Sequence, residues 1–309
     1  MQRKNTFIDV GAGFLPVIAV AVIAAMLAAA SPFFFMTQNL ENMIRRFGEL
    51  GIMACAIAVT VRAKGPDFSI PGVLCLTGVT SALLLQSGAP WGIALLIGLL
   101  IAAGIGFLNG VVIIRTPLPA PVATLISCAV IRVILRLAVG KQFIEIEDWK
   151  GLLSAFPLPL FFGIAVGAAI ALIFFTKLGV PFSKRGKNEK NRVYIWAYVF
   201  SAVCAGIYGF MVTIRLHGAN ANIGWEGFTD LALWTAALYA STALDNRFAP
   251  VPYALGVMFL WTIMVNLMNL FGVSTFWQDG LLIAVFVPLA VFAIRLYAKQ
   301  CAGRLMQRE

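Results

Sequence analysis

The sequence predicts an all-α integral membrane protein of about ten transmembrane helices, some broken or re-entrant, with both termini inside. Three observations predict it. Of 309 residues, 61% are hydrophobic and only 12% are charged, against about 25% charged in soluble domains, too few to clothe a water-facing globule. The apolar runs reach the ~20 residues a helix needs to cross a bilayer, and they lack the ~10-residue alternation of a barrel strand. The basic residues are divided unequally between the loops.

The first run, FLPVIAVAVIAAMLAAASPFFF (14–35), is longer than a removable leader and lacks a small-residue cleavage pattern, so it is expected as a span over about 13–35. Further spans are expected at about 47–62, 70–87, 91–113, 120–139, 152–176, 193–215, 228–245, 250–271 and 280–297. The stretches 47–62 and 228–245 are short enough to be broken or re-entrant. No linker divides the chain, which gives one membrane domain over 1–309. Residues 1–12, a basic loop at 177–192 and a tail at 298–309 face the cytoplasm in this reading.

Charge sets that orientation, because Lys and Arg concentrate on the cytoplasmic side. With the N-terminus inside, sixteen of the 23 basic residues lie inside and four (Arg45, Arg46, Lys141, Lys150) outside, while Arg132, Arg136 and Arg215 fall within or at the ends of spans. Arg45 and Arg46 fit a short interfacial helix. Topology and attraction to anionic lipid explain most of the net charge of +10, and no nucleic-acid partner is expected.

The five cysteines form no C-x-x-C pair and read as small core residues. His217 is alone, and the scattered acids offer neither a metal-ligand cluster nor a nucleophile with its base. No catalytic residue, metal site or bound cofactor is expected in this chain, and it is not expected to be an enzyme.

The stretch RAKGPDFSIPGVLCLTGV (62–79) sets Asp67, Pro66 and Pro71 between two apolar runs. Pro71 would interrupt a helix running through it. A carboxylate at such a break can accept hydrogen bonds from freed N–H groups and favours the positive end of the next helix, with Ser69 acting alike. Two other readings are a part in gating or a polar path, since intramembrane acids line functional cavities, and simple interfacial exposure. Arg132 and Arg136, one turn apart, are expected to pair with Asp67 or the acidic EIED loop (145–148), or to snorkel. Asn109, Asn266 and Asn269 lie in apolar surroundings, as interhelical amides or as a path for a hydroxyl-rich solute. Gly104, Gly106 and Gly110 permit close helix packing. The outer loops GANANIGWEG (218–227) and GVSTFWQDG (272–280) suit either a soluble partner or interfacial anchoring.

GPDFSIPGVLCLTGV resembles the G-I-D-L-S-V-G-S-V-L-A-L-A-G signature of membrane permeases in ribose-type sugar ABC importers, matching at Gly65, Asp67, Ser69, Val73, Leu74, Leu76 and Gly78. FLNGVVI (107–113) is similar to L-L-N-G-L-L-V. PAPVATL (119–125) with Arg132 resembles P-P-F-I-V-T-L followed by an arginine. RLHGANANIGWEGFTD (215–230) matches in Arg215, Leu216, Ala219, Asn222, Gly224 and Asp230, and NLMNLFGVSTFWQ (266–278) is similar to N-G-L-N-L-L-G-V-S-P-F-W-Q. The matches run in order over roughly 40–290.

Two departures stand beside them. After TKLGVPFSKRGKNE (176–189) about ten family residues, which belong to the cytoplasmic coupling helix, are missing; and YASTALDNRFAP (239–250) replaces a glycine-rich segment. The resemblance implies a permease subunit in a bacterial inner membrane, carrying a sugar or sugar-like solute. Its expected partners are a second permease (as a heterodimer), cytoplasmic ATPases that hold ATP and Mg, an external binding protein and lipid. The chain itself has no G-x-x-x-x-G-K-[ST] phosphate loop.

On this reading Gly65, Asp67 and Ser69 form a gating or broken-helix motif, and Asn109, Thr124, Arg132, Asn266 and Asn269 a translocation path. Lys184, Arg185, Gly186, Asn188 and Glu189 form the coupling loop, and Asn222, Trp225, Trp277 and Gln278 meet the binding protein. The alternatives are an accessory subunit with weakened ATPase coupling and an ion-coupled secondary transporter, which would carry more intramembrane acids.

Overall fold

The computed structural model describes residues 31–63, 65–147, 151, 158–175, 187–223 and 250–306, with scattered positions within 18–29 and 235–240. Among them the chain is helical, apart from one short two-stranded ribbon.

Helix α1 (Thr37–Ala63) stops where Pro66 approaches, because the residue before a proline is pushed out of the α region. Helix α2 (Ile70–Gln86) carries Pro71 in its first turn, where a missing N–H costs nothing. It ends at Ser87 and Gly88, the latter at φ 85, a left-handed backbone that glycine adopts without penalty. Pro90 and Pro119 stand immediately before α3 (Trp91–Arg115) and α4 (Ala120–Val139). Helix α5 (Leu158–Phe175) is followed by α6 (Lys187–Arg215), α7 (Pro250–Leu270) and α8 (Thr275–Met306). Strand β1 (Ile144–Glu145) pairs antiparallel with β2 (Gly218–Ala219), Ile144 opposite Ala219.

The chain forms two compact units, Gly48–Glu226 and Met1–Phe47 with Gly227–Glu309. In the first, α6 packs against α2 and α3 and is mostly buried, whereas α3 and α4 leave much of their apolar surface outside. Glycines let these backbones meet. A Cβ on Gly106 of α3 would run into the Tyr198 carbonyl oxygen of α6, and one on Gly209 of α6 into the Leu74 carbonyl oxygen of α2. In the second unit, Ala28, Phe34 and Leu267 form a small core, with Met43, Ile263 and Met264 packed on it. Trp261 meets Phe286 edge to face at 5.0 Å.

Among the described residues, five helical stretches are long and apolar enough to cross a membrane: Trp91–Arg115, Ala120–Val139, Ile195–Arg215, Pro250–Leu270 and Phe276–Arg295. Ile70–Gln86 and Pro159–Ile173 are shorter apolar helices. The expected spans at 13–35 and 228–245 lie largely outside the described residues.

Around 47–62 the structure differs from expectation. The helix starts at Thr37 and runs unbroken to Ala63, with Arg45 and Arg46 on it rather than on a separate interfacial helix. Those two arginines, Glu49 and Arg62 make it too polar to count among the five spans, and from Gly48 onward it is buried. Surrounding protein buries two of its charges, Glu49 and Arg62.

Candidate functional site

The break between α1 and α2 is built from side chains of three other helices. Gly65 closes the end of α1 by donating its N–H to the Thr60 carbonyl (3.2 Å). Pro66 has no N–H to place. Asp67 then turns back on its own chain: its Oδ1 accepts from the Ser69 N–H at 2.9 Å and from the Ser69 hydroxyl at 2.6 Å. An aspartate bonding the N–H two residues on is the side-chain mimic of a backbone turn. Asp67 and Ser69 are both buried, so these bonds are shielded from bulk solvent.

Helix α3 contributes Asn109, whose Nδ2 donates to Ser69 Oγ at 2.9 Å. Helix α4 contributes Thr124: its Oγ1 accepts the Phe68 N–H at 3.0 Å and donates to the Ala120 carbonyl at 2.9 Å. Helix α6 contributes Tyr198, whose hydroxyl donates to the Gly65 carbonyl at 3.0 Å. The Gly65 carbonyl and the Phe68 and Ser69 N–H groups are thus paired by polar side chains, as irregular backbone at membrane depth requires. Among the described residues Asp67 has no cationic partner.

Arg132 and Arg136 lie further along α4. Arg132 shares a face with Cys128, the residue against which Gly72 of α2 packs, and is half-buried. Arg136 Nη2 donates to Asn222 Oδ1 at 3.2 Å, and the Asn222 N–H donates to Asn220 Oδ1 at 2.9 Å. Neither arginine reaches Asp67. The loop carrying Asn222 begins with His217 at φ 61 and is fixed by β1, by Arg136 and by the Cys75 thiol, which donates to the Asn220 carbonyl at 3.6 Å.

Of the residues expected to line a path, Asn109 and Thr124 therefore meet at the break. Asn266 belongs to the other compact unit, where it exchanges hydrogen bonds with Asn39 (2.7 and 3.2 Å). There Asn269 Oδ1 accepts from Gln278 Nε2 at 2.9 Å, and that amide also reaches the Val273 carbonyl. Trp277 is exposed. Trp225, Lys184, Arg185 and Gly186 lie outside the described residues. Asn188 and Glu189 fall in the first turn of α6, which starts inside the stretch expected to be loop.

Two features were not anticipated. Glu49, buried on α1, pairs with Arg215 at the end of α6, with Nε to Oε2 at 3.3 Å. An acid opening the apolar run ELGIMACAIAVTV and a base closing another were visible as opposite charges in apolar sequence. Tyr198 and Ser201, by contrast, sit in an ordinary apolar helix and gave no signal. Among the described residues no group of three or more His, Cys, Asp or Glu could hold a metal ion.

A sequence model of the family described as "Branched-chain amino acid transport system / permease component" matches residues 39–176, a range that contains the whole break. The chain is 26% identical to the ribose import permease protein of Escherichia coli (strain K12) over 294 residues, covering 89% of this chain and 91% of that protein. It is 26% identical to the ribose import permease protein of Bacillus subtilis (strain 168), covering 93% and 95%. It is also 26% identical to the D-allose transport system permease protein of Escherichia coli (strain K12), covering 85% and 87%. No solved structure matches the chain.

Proposed function

We propose that this chain, a member of the branched-chain amino acid transport system permease family, is the membrane-spanning subunit of an ATP-binding-cassette importer for a sugar or sugar-like solute. The observation that carries this reading is likeness over about nine tenths of both chains to a ribose import permease. A shared motif alone would leave most of the helices unaccounted for; this likeness spans them. The chain is a transport component rather than an enzyme, set in a bacterial inner membrane by several apolar helices. ATP hydrolysis belongs to separate cytoplasmic subunits, and solute is delivered by an external binding protein.

Within that frame the broken segment Gly65–Ser69 is the part of the permease core suited to move. It is anchored by single hydrogen bonds, from α3 to the Ser69 hydroxyl and from α4 and α6 to its backbone, rather than by a continuous helical ladder, so a shift of any of these helices is felt there. The full complement is about ten spans with both termini inside, as the distribution of basic residues supports. The shortened basic stretch around 183–192 supports an asymmetric heterodimer in which a second permease carries most of the coupling.

The test is affinity purification of the full chain from its native membrane, with its partners identified and ATP hydrolysis assayed. Recovery of a second permease and an ATPase whose turnover rises with the binding protein is the expected result. Recovery of the chain without any ATPase would sink the reading.

A further inference from the structure

The Asp67 carboxyl has one oxygen in use and one idle. Oδ1 takes both donors offered by Ser69, while Oδ2 is buried with no hydrogen bond. The Ser201 hydroxyl is likewise buried without one. The two are neighbours: Ser201 is among the groups that act on the carboxyl, and it lies one turn of α6 beyond Tyr198, which reaches Gly65.

Among the described residues, each helix packed on the break is polar but uncharged where it faces it. Helix α3 offers Asn109, α4 offers Thr124, and α6 offers Tyr198 and Ser201. Of these only Tyr198 titrates, and its hydroxyl is committed to the Gly65 carbonyl. On α1, Arg62 is buried five residues before Asp67, yet is not among the groups acting on the carboxyl. An ionised carboxylate in this setting would be a buried charge without a countercharge, which proteins avoid by neutralising the group.

We propose that Asp67 is a proton-binding site, its carboxyl neutral in this packed arrangement, with Oδ2–H donating to Ser201 Oγ. The proton comes from water. The new O–H bond pairs two groups that are otherwise idle and latches the broken segment to α6, while Oδ1 keeps its two donors. Release of the proton leaves a charge that only a wetter, looser arrangement tolerates, so the latch is sensitive to proton availability. This holds whatever solute the chain carries.

The test uses the purified full-length chain in lipid nanodiscs, with Asp67→Asn and Ser201→Ala variants. Asparagine has the shape of the neutral acid and can still donate to Ser201. Two readouts are taken: the infrared carbonyl band of a protonated carboxylic acid, and thermal unfolding as a function of pH.

The wild type is expected to show an acid carbonyl band that shifts in heavy water, is lost in Asp67→Asn and moves in Ser201→Ala. Because the folded state then holds a proton that the unfolded state releases above its ordinary pKa of about 4, wild-type stability falls as pH rises through that value. Relative to Asp67→Asn, the unfolding equilibrium changes by about tenfold per pH unit until the folded state deprotonates. No acid band sensitive to Ser201→Ala, or wild type and Asp67→Asn running parallel with pH, would overturn the proposal. If Asp67→Asn does not fold, the band in wild type against Ser201→Ala decides alone.

Discussion

The Tyr198 hydroxyl donates to the Gly65 carbonyl. Tyr198→Phe keeps the ring and strands that carbonyl in a buried site, so it is expected to destabilise the chain by about 1–3 kcal/mol, seen as a lower unfolding midpoint in detergent. Thr124→Val, which removes the acceptor of the Phe68 N–H, is expected to act alike. An unchanged midpoint in both would mean the break is not held as described. Glu49→Gln removes the charge opposite Arg215. Loss of one partner from a fully buried pair costs about 3–5 kcal/mol. The Arg215 side chain keeps 29% of its exposure, so solvent screens part of the loss and about 1–3 kcal/mol is expected. The special character of Asp67 was legible at this scale, because a carboxylate beside two prolines in apolar sequence has few uses. Asn109, which reaches Ser69 from 40 residues away, was legible only as an amide in apolar surroundings.

Helix packing separates glycines that look alike in sequence. Gly104 and Gly106 both stand in AAGIGFLNG. A Cβ on Gly104 meets nothing, while one on Gly106 strikes the α6 backbone. Gly104→Ala is therefore expected to be neutral or to stabilise α3 by up to about 1 kcal/mol. Gly106→Ala is expected to cost about 1–3 kcal/mol as the helices are forced apart. Thermal unfolding of the two variants side by side checks it, and equal midpoints would refute the close approach of α3 and α6. Helix ends were readable where proline or glycine sits at them: Pro66 after α1, Pro90 before α3, Gly140 after α4. The N-terminus of α6 was not. Its first residues, KNEKNR, carry no apolar periodicity, and helix there continues from the apolar stretch that follows rather than from any local signal. The long α1 was misjudged for the same reason, since its polar first half hid a helix whose second half is buried.

For the molecule as a whole, the basic stretch that opens into α6 is where coupling to an ATPase would be felt under the proposed function. Replacing Lys184, Arg185, Lys187, Lys190 and Arg192 by Gln is expected to lower binding-protein-stimulated ATP hydrolysis about tenfold, a coupling change of about 1.4 kcal/mol. The unfolding midpoint should stay unchanged. Loss of both together would mark the stretch as structural instead. The sequence by itself determined that this chain lives in a membrane, that it is helical and which transport permeases it resembles. Those follow from hydrophobicity, run length and ordered short motifs, all local properties of the chain. Only the tertiary structure decided which polar residues meet. Asn109, Thr124 and Tyr198 converge on Gly65–Ser69, and Glu49 finds Arg215, because helices far apart in sequence lie side by side. In a bilayer an apolar helix face is as well satisfied by lipid as by another helix, so a hydropathy pattern cannot say which face meets which. Steric fit at single glycines and the need to pair every buried polar group make that choice.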